Sequence, residues 1–120
     1  MKILVVEDDE SFRDLMKMLF KEFLEEKGYT DIEVFYAENG EEAVEVLKNN
    51  TFEVISLDGT FPDLKKSSVL NRRAGLTLLE RLQDFSHTGY VIFYSSAEEQ
   101  VREAAKMAVA GRPVLARGKG

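Results

Sequence analysis

Glu7-Asp8-Asp9-Glu10 sets four carboxylates in succession directly behind the apolar run Ile3-Leu4-Val5-Val6, and Asp58 closes a second such run, Val54-Ile55-Ser56-Leu57. Brought together in a partly desolvated cleft, such groups repel one another strongly. A hard divalent cation relieves this. Mg²⁺ takes oxygen ligands and keeps several waters, so one or two carboxylates and a carbonyl suffice as protein ligands. A carboxylate held rigidly at the end of a buried strand, beside such a cation, can also receive an incoming phosphoryl group. Each piece has a plainer alternative. The acidic run could be a solvated loop that caps the following helix and complements its dipole. Asp58-Gly59 is a common turn opening. Ser96 ends a third apolar run, yet Ser96-Ala97-Glu98-Glu99 fits the S-x-x-E capping box, so its hydroxyl could simply cap a helix. Lys119 lies near the C-terminus, where lysines are usually just solvated.

The elements that would position these groups alternate in type. Ile3 to Val6 is β-branched and continuously apolar, as expected of a strand covered on both faces. Phe12, Leu15, Met16, Leu19, Phe20, Phe23 and Leu24 recur at spacings of three and four and predict an amphipathic helix closed by Gly28. Ile32 to Ala37 reads as a second strand, Asn39-Gly40 as a turn, and Glu41 to Asn49 as a second helix with Ala43, Val44 and Leu47 inward. Phe52 to Leu57 is a third strand, and Leu76, Leu79 and Leu82 mark a third helix. Tyr90 to Tyr94 is a fourth strand, Ala97 to Val109 a fourth helix, and Pro113 to Arg117 a short fifth strand. Alternation of this kind implies right-handed crossovers and a parallel sheet between helices. The functional crevice of such a sheet lies at the carboxyl ends of its strands. That is where Glu7, Asp8, Asp58 and Ser96 fall.

At 120 residues the chain is read as a single domain, 1–120, large enough to bury a core. It has no cysteine, which excludes disulfides and thiolate metal sites. No apolar run approaches a membrane span and no signal-peptide pattern opens the chain, so a cytoplasmic location is expected. The net charge of −6 disfavours non-specific nucleic-acid binding. Lys65, Lys66, Arg72 and Arg73 nevertheless form a local basic cluster.

Taken in order, these features resemble the response-regulator receiver family of two-component signalling. Ile3 to Glu10 is similar to the family's opening strand and acidic pair, and Tyr36-Ala37-Glu38-Asn39-Gly40-Glu41-Glu42-Ala43 to its second strand and helix entry. Asp58 followed by Pro62 matches the phosphoacceptor loop, Ser96-Ala97 the end of the fourth strand, and Ala110-Gly111 the approach to the fifth. The resemblance implies a doubly wound, flavodoxin-like α/β sandwich with a five-stranded parallel sheet in the order 2-1-3-4-5. It implies that Asp58 accepts a phosphoryl group from a sensor histidine kinase or phosphotransfer protein. Asp8 would ligate Mg²⁺ directly, Glu7 through a water, and Asp58 and the Thr60 carbonyl would complete the set. Ser96 and a lysine after the fifth strand, Lys119, would meet the phosphoryl oxygens. Self-phosphorylation and autodephosphorylation would be the only chemistry, with output passed to a downstream protein.

The pattern departs from the family in three places. Gly75 comes thirteen residues after Pro62 instead of about four, and the intervening 63–74 segment reads as a solvated loop carrying the basic cluster. If Lys119 pairs with phosphate, the aromatic switch position is Ala116; Arg117 is the alternative cation. The chain ends where a fifth helix would begin, so no output domain, DNA binding or membrane contact is expected. One flank of the sheet would then be left for a partner or a second copy, a homodimer, to cover. Ser56-Leu57-Asp58-Gly59-Thr60 resembles the D-x-D-G-T motif of haloacid-dehalogenase-type phosphatases, but the nucleophile position there is Ser56. No G-x-G-x-x-G follows the first strand, which excludes a dinucleotide site. The alternative function is a degenerate receiver serving only as an interaction module. His87, the single histidine, is expected on the surface in a loop.

Overall fold

A computed structural model describes residues 1–85, 89–109 and 113–119. His87, Ala110-Gly111 and Gly120 lie outside them. Among the described residues seven strands follow in chain order: β1 (Lys2–Val6), β2 (Glu33–Ala37), β3 (Val54–Asp58), β4 (Phe61–Pro62), β5 (Leu70–Asn71), β6 (Tyr90–Ser95) and β7 (Val114–Gly118). The apolar, β-branched runs supply five of them to one parallel sheet. Its order is β2-β1-β3-β6-β7, the expected 2-1-3-4-5 once the short β4 and β5 are set aside. Helices α1 (Glu10–Glu26), α2 (Gly40–Asn49), α3 (Ala74–Arg81) and α4 (Glu98–Val109) supply the crossovers.

Two faces of the sheet carry separate cores. Leu4, Val6, Ile55, Leu57, Leu76, Leu79 and Phe93 anchor the larger one. Ile3, Val5 and Leu24 form the smaller one, packed by Met16, Phe20 and Val34. The seven-residue apolar stripe expected to bury on α1 is only half used. Met16, Phe20 and Leu24 reach the sheet, whereas Leu15, Leu19 and Phe23 are 43%, 47% and 58% exposed. Tyr90 and Leu115, 70% and 50% exposed, extend the open apolar surface on β6 and β7. Among the described residues no helix lies over that flank. None of the described helices is long and apolar enough to cross a membrane.

The 63–74 segment is more ordered than a solvated loop. β4 pairs antiparallel with β5, Phe61 opposite Asn71 and Pro62 opposite Leu70. The Lys65 amide donates to Glu41 at 2.9 Å and its ammonium meets Glu45 at 2.9 Å, which staples the hairpin to α2. Arg73 bridges to Glu103 on α4 at 3.1 Å. The chain then re-enters at Gly75, where an added Cβ would stand 2.2 Å from the Asp58 carbonyl oxygen and 2.7 Å from Gly59 Cα. Both neighbours are backbone and cannot yield, so only glycine fits. The thirteen-residue spacing therefore still delivers a glycine against the Asp58 loop.

Candidate functional site

Parallel register sets the geometry. Val6 pairs with Leu57 and Asp58 with Tyr94, so Glu7, Asp58 and Tyr94 come level at the carboxyl edge. Glu7 and Asp58 are almost fully buried, while Asp8 is exposed at the rim. Carboxylate oxygens of Glu7, Asp8 and Asp58 all lie within 4.8 Å of one another. Asp9, the third acid of the run, instead caps α1, accepting from the Phe12 amide at 3.2 Å. The run is thus divided: Asp9 caps the helix, while Glu7 and Asp8 converge with Asp58.

Arg13 fixes the loop that presents these acids. Its Nη1 donates to the carbonyls of Glu7 and Asp8 at 3.1 and 3.2 Å, and its Nη2 pairs with Glu38 at 3.0 Å. Asn39 caps α2 by accepting from the Glu42 amide at 2.9 Å, while the Glu42 carboxylate accepts from the Glu38 amide at 2.9 Å. This reciprocal box, at the place expected to be a turn, steadies the opposite wall.

Lys119 reaches into the site. Its amide donates to the Ser95 carbonyl at 2.8 Å, continuing β7, and its ammonium stands 3.1 Å from Asp58 Oδ2 and 3.6 Å from Glu7 Oε2. The ammonium also faces the rings of Phe12 and Tyr94 at 5.3 and 5.6 Å. Arg117, the alternative cation, is exposed on β7 with no ion pair among the described residues. Ala116 is half-buried against the larger core. The Thr60 amide donates to Asp58 Oδ1 at 3.4 Å.

Ser96 is exposed beside Lys119 in a shallow pocket and makes no hydrogen bond among the described residues. The capping box, the plainer of its two readings, is not formed. β6 runs on to Ser95 and α4 starts only at Glu98, so Ala97 takes the capping place, its carbonyl accepting from the Gln100 and Val101 amides at 3.0 and 3.2 Å. Ser95 Oγ, not Ser96 Oγ, accepts from the Ala97 amide at 3.0 Å.

Electrostatics agree with the geometry. Burial, then the neighbouring Asp58 charge, pushes the Glu7 carboxyl from 4.5 up to about 7. Burial works to lower the Lys119 ammonium, but Asp58, Glu7 and Asp8 outweigh it and the net shift is upward. Three carboxylates against one ammonium leave an excess of negative charge, relieved at Glu7 by holding a proton. The donor set is all oxygen, closely spaced and one side open, which fits a hard divalent cation such as Mg²⁺.

The sequence pattern points neither to Tyr94, in the site, nor to Gln100, which lies outside the acidic cluster. Tyr94 donates its hydroxyl to Glu7 Oε2 at 3.1 Å, and burial followed by the Glu7 charge pushes its phenol upward, keeping it a donor. Gln100, buried at the start of α4, accepts from Ser95 Oγ at 3.2 Å and donates to the Arg72 carbonyl. The parity of Tyr94 with Asp58 was a usable signal once the β3–β6 register was known; Gln100 offered none.

The chain matches the response regulator receiver domain over residues 3–112. No curated protein sequence matches it. Among solved structures it is similar to the receiver domain of the Francisella response regulator 1452, at 24% identity and TM-score 0.68, covering 98% of this chain and 83% of that one. A two-component response regulator from Clostridium difficile is similar at 26% identity and TM-score 0.60, covering 97% and 82%. The response regulator TrrA from Thermotoga maritima, solved in complex with Mg²⁺-BeF, is similar at 19% identity and TM-score 0.65, covering 99% and 88%.

Proposed function

Because the chain belongs to the response regulator receiver domain family, we propose that it is a phosphoacceptor in a two-component pathway, taking its phosphoryl group on Asp58. The observation that carries this reading is the convergence of Glu7, Asp8 and Asp58 within 4.8 Å, with the Lys119 ammonium 3.1 Å from Asp58. Glu7, Asp8, Asp58 and the Thr60 carbonyl would hold Mg²⁺, which supplies charge neutralisation for phosphoryl oxygens when bound.

The chain's own groups account for the rest. The Asp58 carboxylate, rigid at the end of β3, attacks phosphorus of a phosphohistidine on a histidine kinase or phosphotransfer protein. The new bond is Asp58 O–P, the broken one is the donor's N–P, and the electron pair returns to the donor imidazole, which takes a proton from water. Lys119 moves from the carboxylate to the phosphoryl oxygens. Ser96, exposed and unengaged among the described residues, turns its hydroxyl to the same oxygens. Hydrolysis of the acyl phosphate by water returns Asp58 to its starting state.

The experiment is intact-mass measurement after incubation with acetyl phosphate and Mg²⁺. Wild type is expected to gain one phosphoryl mass and Asp58→Asn none. Equal gain in both would sink the assignment of Asp58. No gain in wild type would leave the rival reading, a non-catalytic interaction module, which the alanine at 116 favours.

A further inference from the structure

We infer that the 63–73 insertion is the element that reads the state of Asp58, and that Gln100 is the relay; this rests on the phosphoacceptor reading above. Gln100 is 4% exposed, and both ends of its amide are engaged. Its Oε1 accepts from Ser95 Oγ at 3.2 Å, and its Nε2 donates to the Arg72 carbonyl at the base of the insertion. Gly59, the residue after the phosphoacceptor, is packed against the same pair: an added Cβ would lie 2.8 Å from both Gln100 Oε1 and Ser95 Oγ. The backbone that leaves Asp58 therefore touches the relay directly. A second strut runs parallel to it, since Arg73 pairs with Glu103 at 3.1 Å, about one helical turn further along α4.

Ser96 sits between the two residues that hold this arrangement. Ser95 contributes its hydroxyl to Gln100 and to the Ala97 amide, and the Ala97 carbonyl caps the turn that carries Gln100. A Ser96 hydroxyl drawn toward a phosphoryl group on Asp58 takes both neighbours with it. Close packing around Gly59 does not absorb such a shift, so it passes to Gln100 and on to the Arg72 carbonyl. The route through β7 is closed, because Ala116 has no ring to swing. At its far side the insertion is hinged on α2 by Lys65 with Glu41 and Glu45. A pull at Arg72 therefore turns a surface carrying the exposed Leu64, Val69 and Leu70. Lys66 and Arg72 on that surface have no ion pair among the described residues.

The test is amide hydrogen exchange on the whole chain, with and without Mg²⁺ and beryllofluoride, a phosphoryl mimic. Wild type is expected to change exchange in peptides covering residues 64–72 by about fivefold or more, the lower range of coupled sites. Gln100→Met keeps the buried volume and removes both hydrogen bonds. It is expected to take up phosphoryl mass from acetyl phosphate as wild type does, yet to lose the change in the insertion. Arg73→Ala, on the surface, is expected to fold normally and reduce the change. If wild type gains phosphoryl mass while the insertion is unaltered, or if both variants transmit fully, the relay is refuted alone. If wild type gains no phosphoryl mass, the phosphoacceptor reading falls and the relay with it.

Discussion

If Mg²⁺ occupies the proposed site, Glu7 should make its binding a proton-release reaction whose size follows from the site. The carboxyl is held near 7 by burial and by Asp58, against 4.5 ordinarily. A cation that needs its carboxylate form must displace that proton. With a pKa of about 7, about one site in eleven is deprotonated at pH 6 and about ten in eleven at pH 8. The Mg²⁺ dissociation constant should accordingly be about tenfold weaker at pH 6 than at pH 8, levelling above that. The same shift acts on the metal-free fold. Because the folded value is raised, the folded chain binds more protons than the unfolded one between about pH 4.5 and 7, so stability falls as pH rises through that window. The full effect is on the order of 3 kcal/mol. Calorimetric Mg²⁺ titrations at pH 6, 7 and 8, in buffers of different ionisation enthalpy, measure affinity and proton release together. Glu7→Gln should flatten the pH profile. A dissociation constant equal at pH 6 and 8, or an unaltered profile in Glu7→Gln, would refute the argument.

Three further outcomes are expected. Tyr94→Phe removes the hydroxyl that donates to Glu7 Oε2 at 3.1 Å, and should weaken Mg²⁺ binding about tenfold while leaving phosphorylation at saturating Mg²⁺ close to wild type; an unchanged titration counts against it. Lys119→Met removes the ammonium 3.1 Å from Asp58, and should slow phosphorylation by acetyl phosphate about tenfold or more in a time course by intact mass. Gly75→Ala drives a Cβ to 2.2 Å from the Asp58 carbonyl, and should cost about 3 kcal/mol by overpacking, seen as a melting temperature lower by roughly 10 °C.

Much of this was legible in the residues because it is local. The parallel strands declare themselves as short β-branched runs, and their ends by themselves collect Glu7, Asp8, Asp58 and Ser96. What stayed hidden depends on contacts between distant segments. The 63–74 stretch has neither helical nor alternating period; its hairpin is made by pairing Phe61 with Asn71 and Pro62 with Leu70, and it is docked through Lys65 with Glu45 and Arg73 with Glu103. Tyr94 and Glu7 are 87 positions apart and meet only through sheet register. Apolar periodicity also overstated α1, because it records which side chains could bury and not whether anything lies opposite Leu15, Leu19 and Phe23. At Ser96 a local motif was outcompeted by one more residue of strand.

The insertion is tied down at both ends by backbone. Phe61 pairs with Asn71, and the Gly75 amide donates to the Gly59 carbonyl at 3.0 Å. Gln100 meets the insertion at a main-chain carbonyl too, which any residue at position 72 supplies. Doubling the length of a loop closed between fixed points costs only about 0.6 kcal/mol. The segment therefore behaves as an exchangeable cassette: apart from Lys65 and Arg73, its side chains and length can diverge between lineages or be replaced by design, while the geometry around Asp58 is kept.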